Sequence, residues 1–389
     1  MKAFVHIGAP KTGTSTLQDF LFCNAQALAQ RGIRYHREIP GRRSQVEYPL
    51  GALGRAGRIP ASEEMRLLYG AGTLDAIRDN SAPHLAALAD YPARYDEPVA
   101  VFSSEHIMMM MRTPEEVRAL DDLFSSVFEE VRYIAYFRDP AAALVSEYSE
   151  GIKRGKTAGF EEFFATRLPS IQPHRRAQRW LDAVGRDRLE VRLFDKPHLH
   201  NGDVIDDFCH VLGVDPSGMD RPEPVNVSLS VVGIECLRAL NLRIPELLAQ
   251  GGTNPLRRHI VTMVEDLTHT APRLRLSPAQ MAALKDQCAK SVERFRTTFF
   301  PQCPSLFGFE TGQSEELDPV TVREHALDAL VSIIISLRVG GLPPLTASER
   351  QSAIYQGYVP GTPNAPNGAA SPRLDALRHK VIHALKLGT

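Results

Sequence analysis

No C-x-x-C pair occurs in the 389 residues, and the five cysteines, Cys23, Cys209, Cys236, Cys288 and Cys303, are an odd set at irregular spacing. They fit neither a disulfide framework nor a zinc site, so a reducing, cytoplasmic compartment and no structural metal are expected. Net charge is equally scarce, since 45 basic and 46 acidic side chains leave −1 at pH 7. No global field draws a polyanion, nucleic acid is not an expected partner, and any anion site has to be built locally. Long apolar runs are missing as well. The late stretch from Ala329 to Leu337 falls far short of the ~20 residues that cross a bilayer. Pro10, Lys11 and Gly13 break the apolar opening before a signal-peptide core could form. Secretion and membrane spanning are therefore not expected.

An apolar fraction of 43% suits a globular core, in one large α/β domain with additions or in two modest domains. The first two hundred or so residues alternate short β-branched or aromatic runs with helical spacing, the pattern of a parallel sheet covered on both faces. Strands are predicted at Ala3–Ile7, Ile33–His36, Val99–Phe102, Tyr133–Phe137 and Leu189–Leu193. Between them Leu17, Phe20, Leu21 and Leu28 keep helical spacing, and Thr113-Pro-Glu-Glu116 reads as a helix start. The stretch from Pro40 to Thr73, rich in Gly, Pro and Arg, reads as an inserted loop over the sheet edge. From Val231 to Phe300 the pattern is helical without strands. The division expected is a main domain over 1–310, a linker and helix over 311–339, and a flexible tail over 340–389. Within the tail Leu374, Leu377, Val381 and Leu385 share one face of a short basic helix. That helix reads first as a solvated tail or a contact with another protomer, and second as a peripheral membrane contact.

The strongest chemical signal is Val5-His-Ile-Gly-Ala-Pro-Lys-Thr-Gly-Thr-Ser-Thr16, a strand, a glycine-bearing loop and a helix start. Such a loop binds phosphate: Gly8 and Gly13 let amides approach an anion, the helix dipole favours negative charge, and Thr14, Ser15 and Thr16 add hydroxyls. A plain strand-to-helix turn would explain a glycine but not the lysine together with the hydroxyl triplet. The glycine spacing is that of a nucleotide-triphosphatase loop, yet Thr14 stands where that motif requires lysine, and the lysine has moved to Lys11.

Pro10-Lys-Thr-Gly-Thr-Ser15 resembles the 5′-phosphosulfate loop of the sulfotransferases that use 3′-phosphoadenosine 5′-phosphosulfate (PAPS). The resemblance implies a P-loop-like central parallel sheet flanked by helices, with a mostly helical C-terminal half. It also implies that Lys11 steadies charge on the leaving phosphate while Thr12, Gly13, Thr14, Ser15 and Thr16 hold that phosphate. A second element, Val131-Arg-Tyr-Ile-Ala-Tyr-Phe-Arg-Asp-Pro140, ends a strand in arginine and turns into a helix. Its Arg138, Pro140 and Ser146 are spaced as in the family's 3′-phosphate motif, so Arg138 and Ser146 are expected to hold that phosphate. Ala143 stands where carbohydrate-type members often carry another arginine, and the family's basic C-terminal loop is not recognisable here. Arg175 or Arg176 could replace that loop, a solvated helix face being the first reading of the pair.

In-line displacement at sulfur needs a base for the acceptor proton and no obligatory metal. Glu105 and His106, at the end of Val99-Ala-Val-Phe-Ser-Ser-Glu-His106, are the candidates, with Glu38 as a third by resemblance. Glu105 is preferred, because a carboxylate keeps its base form at neutral pH with less burial. The expected acceptor is a hydroxyl or amine, a glycan or lipid-linked sugar first and a small metabolite second, by resemblance to bacterial and carbohydrate-type members. A P-loop kinase, for which Glu105 would supply the acid near Mg²⁺, and a nucleotide-binding module without turnover are the competing readings.

Overall fold

The computed structural model describes residues 1–9, 11–37, 43–222, 228–244, 254–309 and 318–339. Strands β1 (Lys2–His6), β2 (Ile33–Tyr35), β3 (Val99–Ser103), β4 (Glu130–Phe137) and β5 (Leu189–Leu193) form one parallel sheet in the order β2-β3-β1-β4-β5. All five lie where the sequence pattern puts them. β4 starts earlier than its apolar run, because Glu130 and Arg132 point to solvent while Val131 between them already faces the core.

Alternate residues feed two cores. Val5, Phe102, Tyr133 and Phe137 belong to one, under the Pro114–Ser125 helix, the Pro173–Val184 helix and Phe295. Phe4, Val101, Ile134 and Tyr136 belong to the other, with Leu17, Phe20, Ile205 and Phe208. Burial on both faces is why the strands read as continuous apolar runs rather than clean alternation. The chain leaves β1 for β2 on one side, while β4 flanks β1 on the other. The carboxyl end of β1 is therefore a switch point, where parallel sheets open a crevice for ligands.

The segment read as an inserted loop is not one. It carries helices at Glu47–Arg55 and Glu63–Leu68, and every residue from Glu47 to Gly54 is buried. Residues 38–42, Glu38 among them, lie outside the described residues. The glycines that look like breakers are contact points. A Cβ on Gly54 would stand 2.9 Å from Ile77 Cγ2, and one on Gly51 3.1 Å from Leu85. Close packing against the Leu74–Ala89 helix therefore depends on their lacking side chains.

Helices Val231–Asn241, Pro255–Thr268, Pro278–Phe299 and Pro319–Val339 make the later part helical, as expected. The residues from 340 on, with the anticipated basic helix, and 310–317 of the anticipated linker lie outside the described residues.

Beneath β4 and β5, the fully buried Asp207 accepts hydrogen bonds from Tyr136 Oη (2.8 Å), Arg192 Nε (3.0 Å) and Nη2, and the His200 amide (2.9 Å). Burial alone would raise its pKa, but Arg192, the His200 amide and the Tyr136 hydroxyl outweigh it and hold the carboxyl below its ordinary 3.8. The stability it contributes is thus present above that ordinary value and lost as pH falls through the lower folded one. Asp207→Ala, which leaves Tyr136 without its acceptor and Arg192 with Glu190 alone, should cost about 1–3 kcal/mol at pH 7, read as a lower urea midpoint. A change under about 0.5 kcal/mol would show that the network does not brace the sheet.

Candidate active site

From the end of β1 the chain coils tightly, with Gly8 at φ +33°, Lys11 at φ +67° and Gly13 at φ +74°. Glycine is required twice here: a Cβ on Gly8 would meet Glu105 Cα at 2.8 Å, and one on Gly13 the Phe194 ring at 2.8 Å. Lys11 takes a left-handed backbone without that freedom, a strain of the kind held at binding sites. Helix α1 (Thr14–Cys23) follows, with Gly13 at its N-cap and no side chain capping it. Among the described residues, no partner accepts from the amides of 11–16. The buried hydroxyl of Thr14 is also unpartnered. Uncapped amides and an orphaned hydroxyl at a helix N-terminus fit an anion. Thr12 differs from Thr14: its hydroxyl donates to the Ala9 carbonyl (2.7 Å) and braces the loop, so its amide is what it can offer a ligand. Ser15 and Thr16 are partly exposed.

The second motif meets the first. Arg138, at the end of β4, donates from Nη1 to the Lys11 carbonyl (3.2 Å), with its guanidinium 5.6 Å from the centre of the Phe194 ring. Burial lowers its pKa against the pull of Asp139. Asp139 caps helix α3 (Pro140–Lys153) through the Ala141 and Ala142 amides, with Pro140 in the first turn. Helix α2 (Glu105–Met110) is shorter and follows β3. Ser146 on α3 is buried and has no side-chain partner among the described residues, whereas Tyr148 donates to the Ala158 carbonyl (3.0 Å) in a separate apolar cluster.

The sequence reading missed Glu150, which accepts from Lys11 Nζ at 2.7 Å. It lies four residues beyond Ser146, so the two share one face of α3. Burial would raise its pKa, but Lys11, then Arg154 and Lys153, bring it down to about 2. Spacing from Ser146 gives Glu150 a face of α3, but nothing local names Lys11, 139 residues away, as its partner.

Both candidate bases reach one polar cluster, because β3 has ended before them. Ser104 caps α2, and its hydroxyl accepts from the His106 amide. Glu105 Oε2 accepts from Gln18 Nε2 (3.0 Å) and Ser44 Oγ (3.1 Å). His106 Nδ1 lies 3.3 Å from Ser44 Oγ, and its Nε2 lies 3.1 Å from Tyr69 Oη. Glu105 Oε1 is 3.8 Å from His106 Nδ1. Gln18, Ser44 and Tyr69 were not anticipated. Next to them, fully buried His6 shares a 2.9 Å hydrogen bond with Ser103 Oγ, and burial lowers its pKa to about 4 against the pull of Glu105.

No family model and no curated protein matches the chain. Among solved structures it is similar to a sulfotransferase from Alicyclobacillus acidocaldarius, at 18% identity and TM-score 0.42 over 76% of this chain and 94% of that one. It is also similar to the sulfotransferase domain of the Synechococcus PCC 7002 olefin synthase, at 17% identity and TM-score 0.32 over 68% of this chain and 93% of that one. A third is the sulfotransferase domain from the curacin biosynthetic pathway, at 12% identity and TM-score 0.33 over 73% and 96%. Likeness at this level bears on neither activity nor substrate. Among the described residues no helix is long and apolar enough to cross a membrane.

The Lys11–Glu150 pair gives a pH signature. A folded pKa of about 2 against an ordinary 4.5 means stability fully present above pH 4.5 and lost as pH falls toward 2. Glu150→Gln should therefore lower unfolding free energy at pH 7 by roughly 1–3 kcal/mol. The gap from the parent should narrow between pH 4.5 and 2 in urea titrations. A gap independent of pH would mean the carboxylate charge is not what Glu150 contributes.

Proposed function

We propose that the chain is a sulfotransferase that takes the sulfuryl group of PAPS and passes it to an acceptor hydroxyl or amine. The observation that carries this reading is the contact between Arg138 Nη1 and the Lys11 carbonyl, which joins two anion-binding motifs 127 residues apart. A donor with phosphates at both ends needs two sites at fixed separation, and a lone phosphate loop would not supply the second.

In this reading the α1 amides and the Thr14 hydroxyl hold the 5′-phosphate, while Arg138 and Ser146 hold the 3′-phosphate. The acceptor oxygen bonds to sulfur as the bond from sulfur to the bridging oxygen breaks. The acceptor proton passes to Glu105, and Lys11 meets the charge that develops on the departing phosphate. Glu105 is preferred to His106 because it borders the loop at Gly8, while His106 Nε2 is turned to the Tyr69 hydroxyl. The acceptor class carried by the resemblance is a glycan or lipid-linked sugar, with a small metabolite second.

Thermal shift with 3′,5′-diphosphoadenosine against ATP-Mg²⁺ tests the donor, because a ligand stabilises the state it binds. The diphosphoadenosine should shift the melting temperature more; a larger shift with ATP-Mg²⁺ would favour a kinase. Arg138→Ala should weaken that nucleotide by ~10- to 100-fold while leaving adenosine 5′-phosphate nearly unchanged. Lys11→Ala should keep the fold and lose turnover by at least ~10²-fold. Equal weakening of both nucleotides, or near-normal turnover in Lys11→Ala, would remove the assigned roles. Tight nucleotide binding without transfer to any of a broad set of acceptors would leave a binding module.

For the base, Glu105→Gln should abolish most turnover at saturating donor with nucleotide binding retained. His106→Gln should keep a substantial part. The reverse outcome moves the role to His106, and collapse only in Glu38→Gln moves it there.

A further inference from the structure

Helix α4 (Pro173–Val184) carries Arg175, Arg176 and Arg179 in its first two turns, and its N-cap, Gln172, makes no capping hydrogen bond. Three cations at the positive end of a helix oppose its dipole and one another. A solvated face would tolerate that, and Arg175 is exposed. Arg176 and Arg179 are not, and the buried Nε of Arg179 has no partner. Neither has an ion pair or a side-chain hydrogen bond among the described residues, an arrangement that costs stability unless an anion completes it. Arg112, which precedes the N-cap of the neighbouring Pro114–Ser125 helix, is exposed like Arg175. Burial, then Arg176, Arg175 and Arg112, push the pKa of Arg179 down to about 10 against the pull of Glu116.

The cluster lies toward the sheet edge that carries the candidate site. Arg176 feels the charge of Glu147, which Arg167 holds at 2.6 Å. Glu147 lies three residues before Glu150 on α3, the partner of Lys11, hence about one helical turn away. α4 precedes β5 in a parallel sheet, which puts its N-terminal half toward the carboxyl edge, where β1 and β4 deliver Lys11 and Arg138.

We propose that Arg176 and Arg179, side by side on α4, form an oxyanion subsite that receives a carboxylate or phosphate group carried by the acceptor. The inference rests on the sulfotransferase reading and narrows its acceptors to hydroxyl or amine compounds with an anionic substituent. Guanidinium forks suit either group.

The test fills the donor site with 3′,5′-diphosphoadenosine and titrates inorganic phosphate, and separately succinate, at constant ionic strength by calorimetry. The parent protein should bind at least one of them saturably, and the one bound identifies the group. Arg176→Gln/Arg179→Gln should weaken that binding at least tenfold. Without anion, this variant should melt no lower than the parent, since removing repulsion and unpaired burial offsets lost contacts. No saturable binding in the parent, or unchanged affinity in the variant, overturns the proposal. Weaker 3′,5′-diphosphoadenosine binding with unaltered phosphate binding would assign these arginines to the donor instead and also overturn it. If 3′,5′-diphosphoadenosine itself fails to bind, the donor reading falls separately. Phosphate binding kept in Arg138→Ala but lost in the double variant would still locate the arginine subsite.

Discussion

The site depends on where one lysine ammonium is held. Lys11 projects from a left-handed turn and meets Glu150 at 2.7 Å, while its own carbonyl accepts from Arg138. Its backbone is thus anchored to β4 and its side chain to α3. An incoming phosphate would compete with Glu150 for the same ammonium. The pair is only partly buried, with 20% of the lysine and 26% of the glutamate side chain exposed, so separating it costs far less than breaking a fully dry ion pair. Glu150 keeps compensation if Lys11 swings away, because Arg154 Nε also binds it at 3.1 Å.

That anchoring follows from the sheet. β1 is central, and in register Lys2 pairs with both Val99 and Glu130, so β1 and β3 end level at His6 and Ser103 while β4 runs three residues further, to Phe137, on the same edge. Each delivers one chemical element there. β1 gives the loop, β3 gives Ser104 and the start of α2, and β4 gives Arg138 and the cap of α3. Residues distant in sequence meet because a parallel sheet places successive loops on one edge.

The strands were legible because burial on both faces writes itself as β-branched and aromatic runs between turn signals. The loop was legible because glycine at positive φ and a helix start leave a local trace. The Glu47–Arg55 helix was not. Its Gly51 and Gly54 lower helix propensity, and only tertiary contact with Leu85 and Ile77 explains them. Glu150, Gln18 and Ser44 were invisible for a related reason. Their partners, Lys11 and Glu105, are 139, 87 and 61 residues away in sequence, and no local spacing encodes such pairs.

Gln18 shows how the two halves of the site are tied together. It sits four residues after Thr14, so both occupy one face of α1, the helix whose uncapped N-terminus is the proposed anion site. Its amide donates to Glu105 Oε2 and lies near Ser103, whose hydroxyl in turn bonds His6 beneath the sheet edge. A buried primary amide has two hydrogens, and directing one at the carboxylate fixes that group's orientation. Any displacement of α1 along its axis, of the kind an anion drawing on its first amides would produce, must therefore move or strain the Gln18–Glu105 bond. The uncapped helix start and the carboxylate are coupled through one helix. A change confined to the helix start would thus register at Glu105 without any residue between them changing identity.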